Sequence, residues 1–478
     1  MPENAVDASI PLCVDLDGTL IRTDILAESL LLLIKKNPLY IFKLPFWLLK
    51  GKAYLKAEIA SRISIKPETL PYNTPFLDWL RLKKKEGRRL WLCTATHEIP
   101  ANAIADYLQI FDGVVATSGA RNLSGAAKAK ELAEKFSERG FDYCGNEAKD
   151  LDVWQAGRGA IVVNGGAGLE KRARKVAQVT EVFPREGSIG RAAVKAIRPQ
   201  QWVKNALVLV PVGAAHTLTG FPTLLGAITA FFAFSFCASS VYLINDLLDI
   251  EADRLHPQKS KRPFASGDLP VAAGFALVPA LFILAFCLAA FLPGYFLLVL
   301  AGYFILSTVY TFLLKRIPIL DALCLAVLYM LRIVAGAVAT NVPLSFWLLL
   351  FSVFFFLSLA LVKRYVELDA LRRSGKNNMP GRGYQPEDLM LLEVFGIVSG
   401  YLSVLVLALY INSPNITILY RHPKVIWGLC LVILYWISRV WLRTHRGKMH
   451  DDPVVFALKD KSSYLLGFIS LLILLAAV

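Results

Sequence analysis

The sequence predicts a chain in two parts: an α/β domain built on a parallel sheet with a helical insert, and behind it an all-α membrane domain of about nine spans. Three observations carry this. The chain is 55% hydrophobic with a mean hydropathy of +0.50, and the apolar excess lies almost entirely after residue 200. Before residue 190 the apolar residues instead come in short runs that end in polar motifs, as buried strands of a parallel sheet do. After residue 200 they come in runs long enough to cross a bilayer. One soluble domain over 1–190, a basic connector over 191–204 and a membrane domain over 205–478 are expected.

Residues 10–14 form the first short apolar run, and it ends in Asp15-Leu16-Asp17-Gly18-Thr19. A buried strand that stops at two alternate acids and a Gly-Thr turn is a strong signal of a functional site. Residues 24–75 read as helices inserted between this strand and the next. Part of the insert, 39–52, is unusually apolar and basic, too short to span a bilayer but suited to a membrane surface, with Trp47 and the lysines at headgroup level. An ordinary cap packed on the domain core is the alternative. Leu90–Thr94 is a second strand ending in a hydroxyl. A helical pattern from Gly125 offers Lys128 as a cation. Phe141–Gly145 is a further strand, followed by Asn146 and Asp150, and 159–164 is another.

These pieces, in this order, resemble the haloacid dehalogenase (HAD) phosphohydrolases. The resemblance implies a Rossmann-like sheet with a helical cap. It makes Asp15 the nucleophile, Asp17 the acid/base, Thr94 and Lys128 phosphate-binding groups, and Mg²⁺ a cofactor held by Asp15, Asp150 and the carbonyl of Asp17. Asn146 stands where the family usually has an acid. A domain that keeps this fold as a regulatory or docking module is the alternative.

The seven cysteines form no CxxC pair. Cys13, Cys93 and Cys144 lie in strand-like runs, as small buried residues. The polar, acidic opening over 1–9 is not expected to be a signal peptide. The net charge of +15 sits largely in the 170–200 stretch and in short loops between apolar runs. That placement fits anionic lipid or substrate and argues against nucleic acid as a partner.

Apolar spans are expected at 205–219, 222–245, 271–292, 295–314, 319–340, 344–362, 388–411, 424–442 and 462–478. Lys and Arg crowd the loops at 246–270, 315–318, 363–387 and 443–461, while the opposite loops carry only Arg421. This asymmetry places the N-terminal domain in the cytoplasm and the C-terminus across the inner membrane.

The chemically richest loop opens with Asn245-Asp246-x-x-Asp249-x-x-x-Asp253 and continues through Arg254 and His256-Pro257 to Lys259, Lys261 and Arg262. If the preceding apolar helix continues, the three acids share a face. Carboxylates so placed at a membrane boundary need a cation among them, and Mg²⁺ carrying a diphosphate is the natural one. A second loop, Lys363-Arg364-Tyr365-x-Glu367, leads on to Arg382 and Tyr384. Arg332 lies within an apolar span, so it must face a polar partner.

Over roughly 195–478 the chain resembles the UbiA superfamily of intramembrane prenyltransferases. The motifs Arg198-Pro-x-Gln-Trp202-x-Lys204-Asn205, Asp253 through Gly267, and Lys363-Arg364-Tyr365-x-Glu367 look closest to its decaprenyl-phosphate phosphoribosyltransferase branch. That likeness implies transfer of 5-phosphoribose from phosphoribosyl pyrophosphate (PRPP) to a polyprenyl phosphate, as in making a cell-wall arabinan precursor. Asp246 and Asp249 would be catalytic, with Asp253 joining them around Mg²⁺. Lys204, Asn245, Lys259, Arg262, Lys363, Arg364, Tyr365, Glu367 and Arg382 would bind substrate. Prenyl transfer to an aromatic acceptor, and lipid binding or transport with a regulatory HAD module, are the alternative readings.

Overall fold

A computed structural model describes residues 9–119, 122–215, 220–373, 382–413, 420–449 and 453–478. The chain divides into two units. The first contains residues up to Ile197 together with Tyr242–Val278; the second contains Arg198–Val241 and Pro279–Val478.

The first unit is organised by a six-stranded sheet: β1 (Leu12–Val14), β2 (Leu90–His97), β3 (Gly113–Thr117), β4 (Asp142–Gly145), β5 (Gly159–Val163) and β6 (Gln178–Phe183). Its order is β3-β2-β1-β4-β5-β6, with every pair parallel. The strand side chains alternate between two buried clusters. Leu12, Val14, Leu90, Leu92, Ile161 and Val163 face one of them. Cys13, Cys93, Ala160 and Val162 face the other. A sheet buried on both faces needs helices on both sides, which is why its strands read as continuous apolar runs. Cys13, Cys93 and Cys144 are buried free thiols, as the strand positions predict. The chain changes direction of travel across the sheet between β1 and β4, so a crevice opens beyond their C-terminal ends. Asp15 and Asp17 follow β1 directly.

The insert after β1 is helical: Ile25–Lys36, Leu44–Leu49 and Lys52–Ala60, with a 3₁₀ turn at Pro38–Phe42. Trp47 is buried in this cap with Leu33 and Ile59. The expectation that Trp47 sits at headgroup level is therefore corrected; the outward apolar groups are its neighbours.

Seven described helices are long and apolar enough to cross a membrane. They are Phe221–Leu248, Val271–Ala289, Gly294–Phe312, Leu320–Thr340, Phe346–Arg373, Pro386–Ile411 and Pro423–His445. Pro453–Lys459 and Lys461–Ala477 add an eighth only if the pair, bent by 83°, is one span. The expected first span is revised. Its residues form a 3₁₀ segment, Pro199–Leu209, and a short helix, Val210–Ala214. Residues 216–219 of that run lie outside the described residues.

This first segment packs closely against the helix Leu320–Thr340. A Cβ on Gly336 would lie 1.9 Å from the carbonyl oxygen of Val208. Asn205 and Arg332 fasten the same contact: the Arg332 Nε donates to Asn205 Oδ1 at 2.9 Å and its Nη2 to the Tyr303 hydroxyl at 3.1 Å. The Asn205 amide donates in turn to Ser235 Oγ at 3.0 Å. The intramembrane arginine thus has the polar partners its position demands. Gly336→Val should force these backbones apart at a cost of about 1–3 kcal/mol, the usual range for overpacking. A lowered melting temperature of the purified protein in detergent is the check.

Candidate functional site

Three polar clusters hold the candidate site residues, two in the first unit and one in the second.

At the end of β1, Asp15 is paired with Lys128, whose Nζ donates to Asp15 Oδ1 at 2.9 Å and to the Tyr143 hydroxyl at 2.7 Å. Tyr143 then donates to Asp150 Oδ1 at 3.1 Å. The other Asp150 oxygen accepts the backbone N–H groups of Asn146 and Glu147, each at 2.9 Å. Asp150 therefore shapes the turn after β4 as well as closing this buried network. Asp17 accepts the N–H of Ile25 at 2.7 Å and the Thr96 hydroxyl at 2.6 Å. Burial raises the carboxyl of Asp15 to about 6, against the pull of Lys128. Burial, with the nearby charge of Asp24, raises Asp17 further, to about 8. Lys128 loses solvation in the same place, but Asp15 and Asp150 outweigh that and raise its pKa.

Thr94 is fully buried, and its Oγ1 accepts the N–H of Thr96 at 3.0 Å. Thr96, not singled out in the sequence, is the hydroxyl that reaches Asp17. Its signal was the alternation of the strand, which puts 94 and 96 on one face. Lys56, from the cap, was also missed. Its Nζ donates to the Ala95 carbonyl at 2.6 Å and to Asn122 Oδ1 at 2.7 Å, and burial lowers its pKa. Asn146 accepts from the Thr19 hydroxyl at 3.2 Å. A cavity of about 210 Å³ opens at Asp17, lined also by Asn146, Arg22, Arg185, Gly267 and Asp268.

The second cluster is the acidic loop. The helix Phe221–Leu248 gives way at Asp249 to the short helix Ile250–Arg254, and two hydrogen bonds bridge the junction: Asp249 N–H to the Asn245 carbonyl at 3.0 Å and Asp253 N–H to the Asp249 carbonyl at 2.8 Å. Asp246 and Asp253 are buried. One guanidinium nitrogen of Arg262 joins them, at 2.9 Å from Asp246 and 2.6 Å from Asp253. Lys259 and Lys261 are exposed beside it on a 3₁₀ turn. Asp249 is half-buried at the junction with the helix Ile250–Arg254. Asn245 Oδ1 is buried with no hydrogen-bond partner.

Arg254 points the other way, into the sheet domain. It forms a two-pronged ion pair with Glu28, with Nη1 at 3.0 Å from Oε2 and Nη2 at 2.5 Å from Oε1. Thr23 donates to the same carboxylate at 2.8 Å. Glu28 lies on the helix Ile25–Lys36, whose first N–H holds Asp17. Nothing in the sequence marked Glu28, because its partner is 226 positions away.

Among the described residues, no three acidic, histidine or cysteine side chains gather as one metal-ligand set. Asp246, Asp249 and Asp253 are therefore not gathered as one three-acid set, while the site expected of Asp15, Asp150 and the carbonyl of Asp17 asks for only two carboxylates. Mg²⁺ needs fewer protein ligands, keeping water and phosphate for the rest. Asp246 and Asp253, already converging on one cation, and the partnerless Asn245 oxygen offer hard donors that fit it.

The third cluster lies in the second unit. Arg364, fully buried, donates to Asp321 at 2.5 Å, Glu367 at 2.6 Å and the Tyr310 hydroxyl at 3.0 Å. Tyr384 also donates to Asp321. Arg382 bridges Asp321 at 3.3 Å and Glu367 at 3.5 Å and is the more exposed arginine. Arg364 thus orders the loop, and Arg382 is the better placed to meet an anion. Tyr365 is a core residue, packed edge-on against Trp441. Lys204 and Lys363 are half-buried.

A model of the UbiA prenyltransferase family matches residues 206–472. The uncharacterized protein y4nM of Sinorhizobium fredii is 37% identical over 96% of this chain and 90% of its own. A decaprenyl-phosphate phosphoribosyltransferase of Mycolicibacterium smegmatis is 38% identical over 38% of this chain, a match that covers 58% of that enzyme. A UbiA homolog from Archaeoglobus fulgidus, solved with GPP and Mg²⁺, aligns over 60% of this chain and 97% of its own at 20% identity, with a TM-score of 0.44.

The buried pair yields a prediction. Removing one partner of such a pair costs about 3–5 kcal/mol, because the other charge is left without compensation. Glu28→Gln should therefore lower the melting temperature sharply, whereas Glu28→Gln combined with Arg254→Gln should recover part of the loss. Thermal unfolding of the three proteins in detergent decides it.

Proposed function

The chain belongs to the UbiA prenyltransferase family, and from that premise we propose that it transfers 5-phosphoribose from PRPP to a polyprenyl phosphate and then, through its N-terminal domain acting as a HAD-type phosphatase, removes the 5-phosphate. The observation that carries the reading is the pair of buried carboxylates, Asp246 and Asp253, drawn together by Arg262 within a run of cations. Partial identity to decaprenyl-phosphate phosphoribosyltransferases supports the choice of donor.

For the first step Asp246 and Asp253 would hold Mg²⁺, with Asp249 beside them. Bound there, the ion would supply positive charge against that which builds on the departing pyrophosphate. Arg262, Lys259 and Lys261 supply further positive charge to phosphate oxygens. The bond from the anomeric carbon to pyrophosphate breaks as the lipid phosphate oxygen attacks that carbon. The acceptor is already an anion, so no general base is required.

In the second step Asp15 attacks the phosphorus of the 5-phosphate, with Lys128 balancing its charge. Asp17 keeps its proton near neutral pH, since its carboxyl is raised to about 8, and so gives that proton to the departing ribose oxygen. Water then hydrolyses the aspartyl phosphate, with Asp17 taking a proton back. Thr96 and the Ile25 N–H keep the Asp17 carboxyl aimed.

Two outcomes follow. Membranes containing the protein, given labelled PRPP, Mg²⁺ and polyprenyl phosphate, should form a labelled lipid, and Asp246→Ala should abolish it. Labelling only from a prenyl diphosphate and an aromatic acceptor would replace this reading with ordinary prenyl transfer. Asp15→Asn should leave lipid formation intact and accumulate the lipid that still carries its 5-phosphate, read by mass spectrometry. Equal product from wild type and Asp15→Asn would remove the phosphatase step.

A further inference from the structure

The cap carries a surface that neither reaction uses. Leu39 (66%), Phe42 (71%), Phe46 (68%) and Leu49 (85%) stand largely exposed within eleven residues, and Ile41 and Leu48 are half exposed beside them. A folded domain does not normally leave so many large apolar groups together in water. Their exposure is not a failure of the cap to fold. Trp47 sits inside against Leu33 and Ile59, Tyr40 lies 5.9 Å from the Trp47 ring, and Arg62 covers that ring at 5.0 Å. The turn and the short helix are anchored by their inner side chains and present the others outward.

Along this stretch of chain the charge has one sign. Lys35, Lys36, Lys43, Lys50 and Lys52 are all exposed, and no Asp or Glu occurs from Ser29 to Ala57. Lys43 and Lys50 lie over the Tyr40 and Tyr54 rings, at 5.5 and 5.0 Å, which holds their ammonium groups at the border of the apolar surface. Apolar side chains ringed by lysines match the boundary between acyl chains and anionic headgroups. The chain already belongs to a membrane, so that partner is always present.

We propose that residues 38–50 are a membrane-docking element that seats Phe42, Phe46 and Leu49 at the level of the acyl chains and the surrounding lysines among anionic headgroups. The same cap reaches the catalytic strand through Lys56, which bonds the Ala95 carbonyl between Thr94 and Thr96. Docking therefore holds the Asp15 site near lipid-borne phosphomonoesters and favours them over soluble ones. That consequence rests on the phosphatase reading; the docking does not.

The test uses the full chain in lipid nanodiscs. Cys287, the exposed cysteine, is replaced by Ser, and Phe46→Cys carries a polarity-sensitive fluorophore. In phosphatidylcholine with phosphatidylglycerol, the emission should shift to the blue and be quenched by nitroxide lipids. Both effects should weaken in phosphatidylcholine alone and when Lys43 and Lys50 are changed to Glu. A label at Lys130→Cys, on an exposed helix of the sheet domain, should report water throughout. Water-like emission from position 46 in every bilayer would overturn the proposal. So would a blue shift equal in detergent and dependent on protein concentration, which would mean that a second copy covers the surface. If the protein is a phosphatase, Phe42→Ser combined with Phe46→Ser and Leu49→Ser should slow it several-fold on a bilayer-borne phosphomonoester and leave p-nitrophenyl phosphate unchanged. Loss on both substrates would deny the docking a role in turnover, while the fluorescence would still decide the docking itself.

Discussion

The ion pair between Arg254 and Glu28 is the interaction on which the arrangement of the first unit depends. Both side chains are withdrawn from water, at 6% and 4% exposure. Neither can keep its charge there without the other. The pair fixes the acidic loop at one end and the cap helix at the other. From Glu28 the helix leads back to Ile25, whose N–H holds Asp17. From Arg254 the chain leads to Asp253, held with Asp246 by Arg262. The two catalytic candidates of this unit are therefore parts of one hydrogen-bonded framework. Gly267 extends it: its backbone has φ +78°, and a Cβ there would meet Arg22 at 2.5 Å. A side chain would be both strained and obstructed, so the loop approaches the sheet domain only because that residue is glycine.

Arginine carries several of the buried charges of this chain. Arg332 spends its donors on Asn205, Leu328 and Tyr303, and Arg364 on Asp321, Glu367 and Tyr310. A guanidinium can satisfy several acceptors in a plane, whereas an ammonium acts closer to a point charge. These residues fasten helices to one another. Arg262 differs, because it holds two carboxylates with a single nitrogen and remains partly open to solvent. A cation so placed keeps two buried acids close together without committing the rest of its donors.

What was legible in the sequence follows from how local the cause is. Asp15 and Asp17 stood out because a buried strand ending in alternate acids is written in consecutive residues. Asp246, Asp249 and Asp253 were found by helical spacing; the helix breaks at Asp249, and Asp246 and Asp253 are the two that Arg262 joins. The parallel sheet followed from apolar runs with a common pattern. Arg332 was correctly expected to have a polar partner, but Asn205 lies far away in the chain and could not be paired with it. Glu28 gave no signal at all, since it sits in an unremarkable amphipathic helix. The first expected span differs for another reason: its described part, 205–215, is apolar, but Pro211 and the close approach at Gly336 go with a 3₁₀ segment and a short helix in place of one continuous helix.

Hydropathy also misplaced one residue of the cap. Trp47 was read as an interfacial anchor because tryptophan favours that position. In the fold, Trp47 is the largest side chain available to fill the inside of a short helical turn, and Tyr40 and Arg62 close over it. A helix of six residues has room for one such anchor, so Phe46, Leu48 and Leu49 must face away. The outward apolar surface is thus a consequence of how little interior the cap has. A soluble domain would be expected to make those positions polar. That this one instead surrounds them with lysines, and has no acid from Ser29 to Ala57, means the positions answer to something other than the packing of the cap.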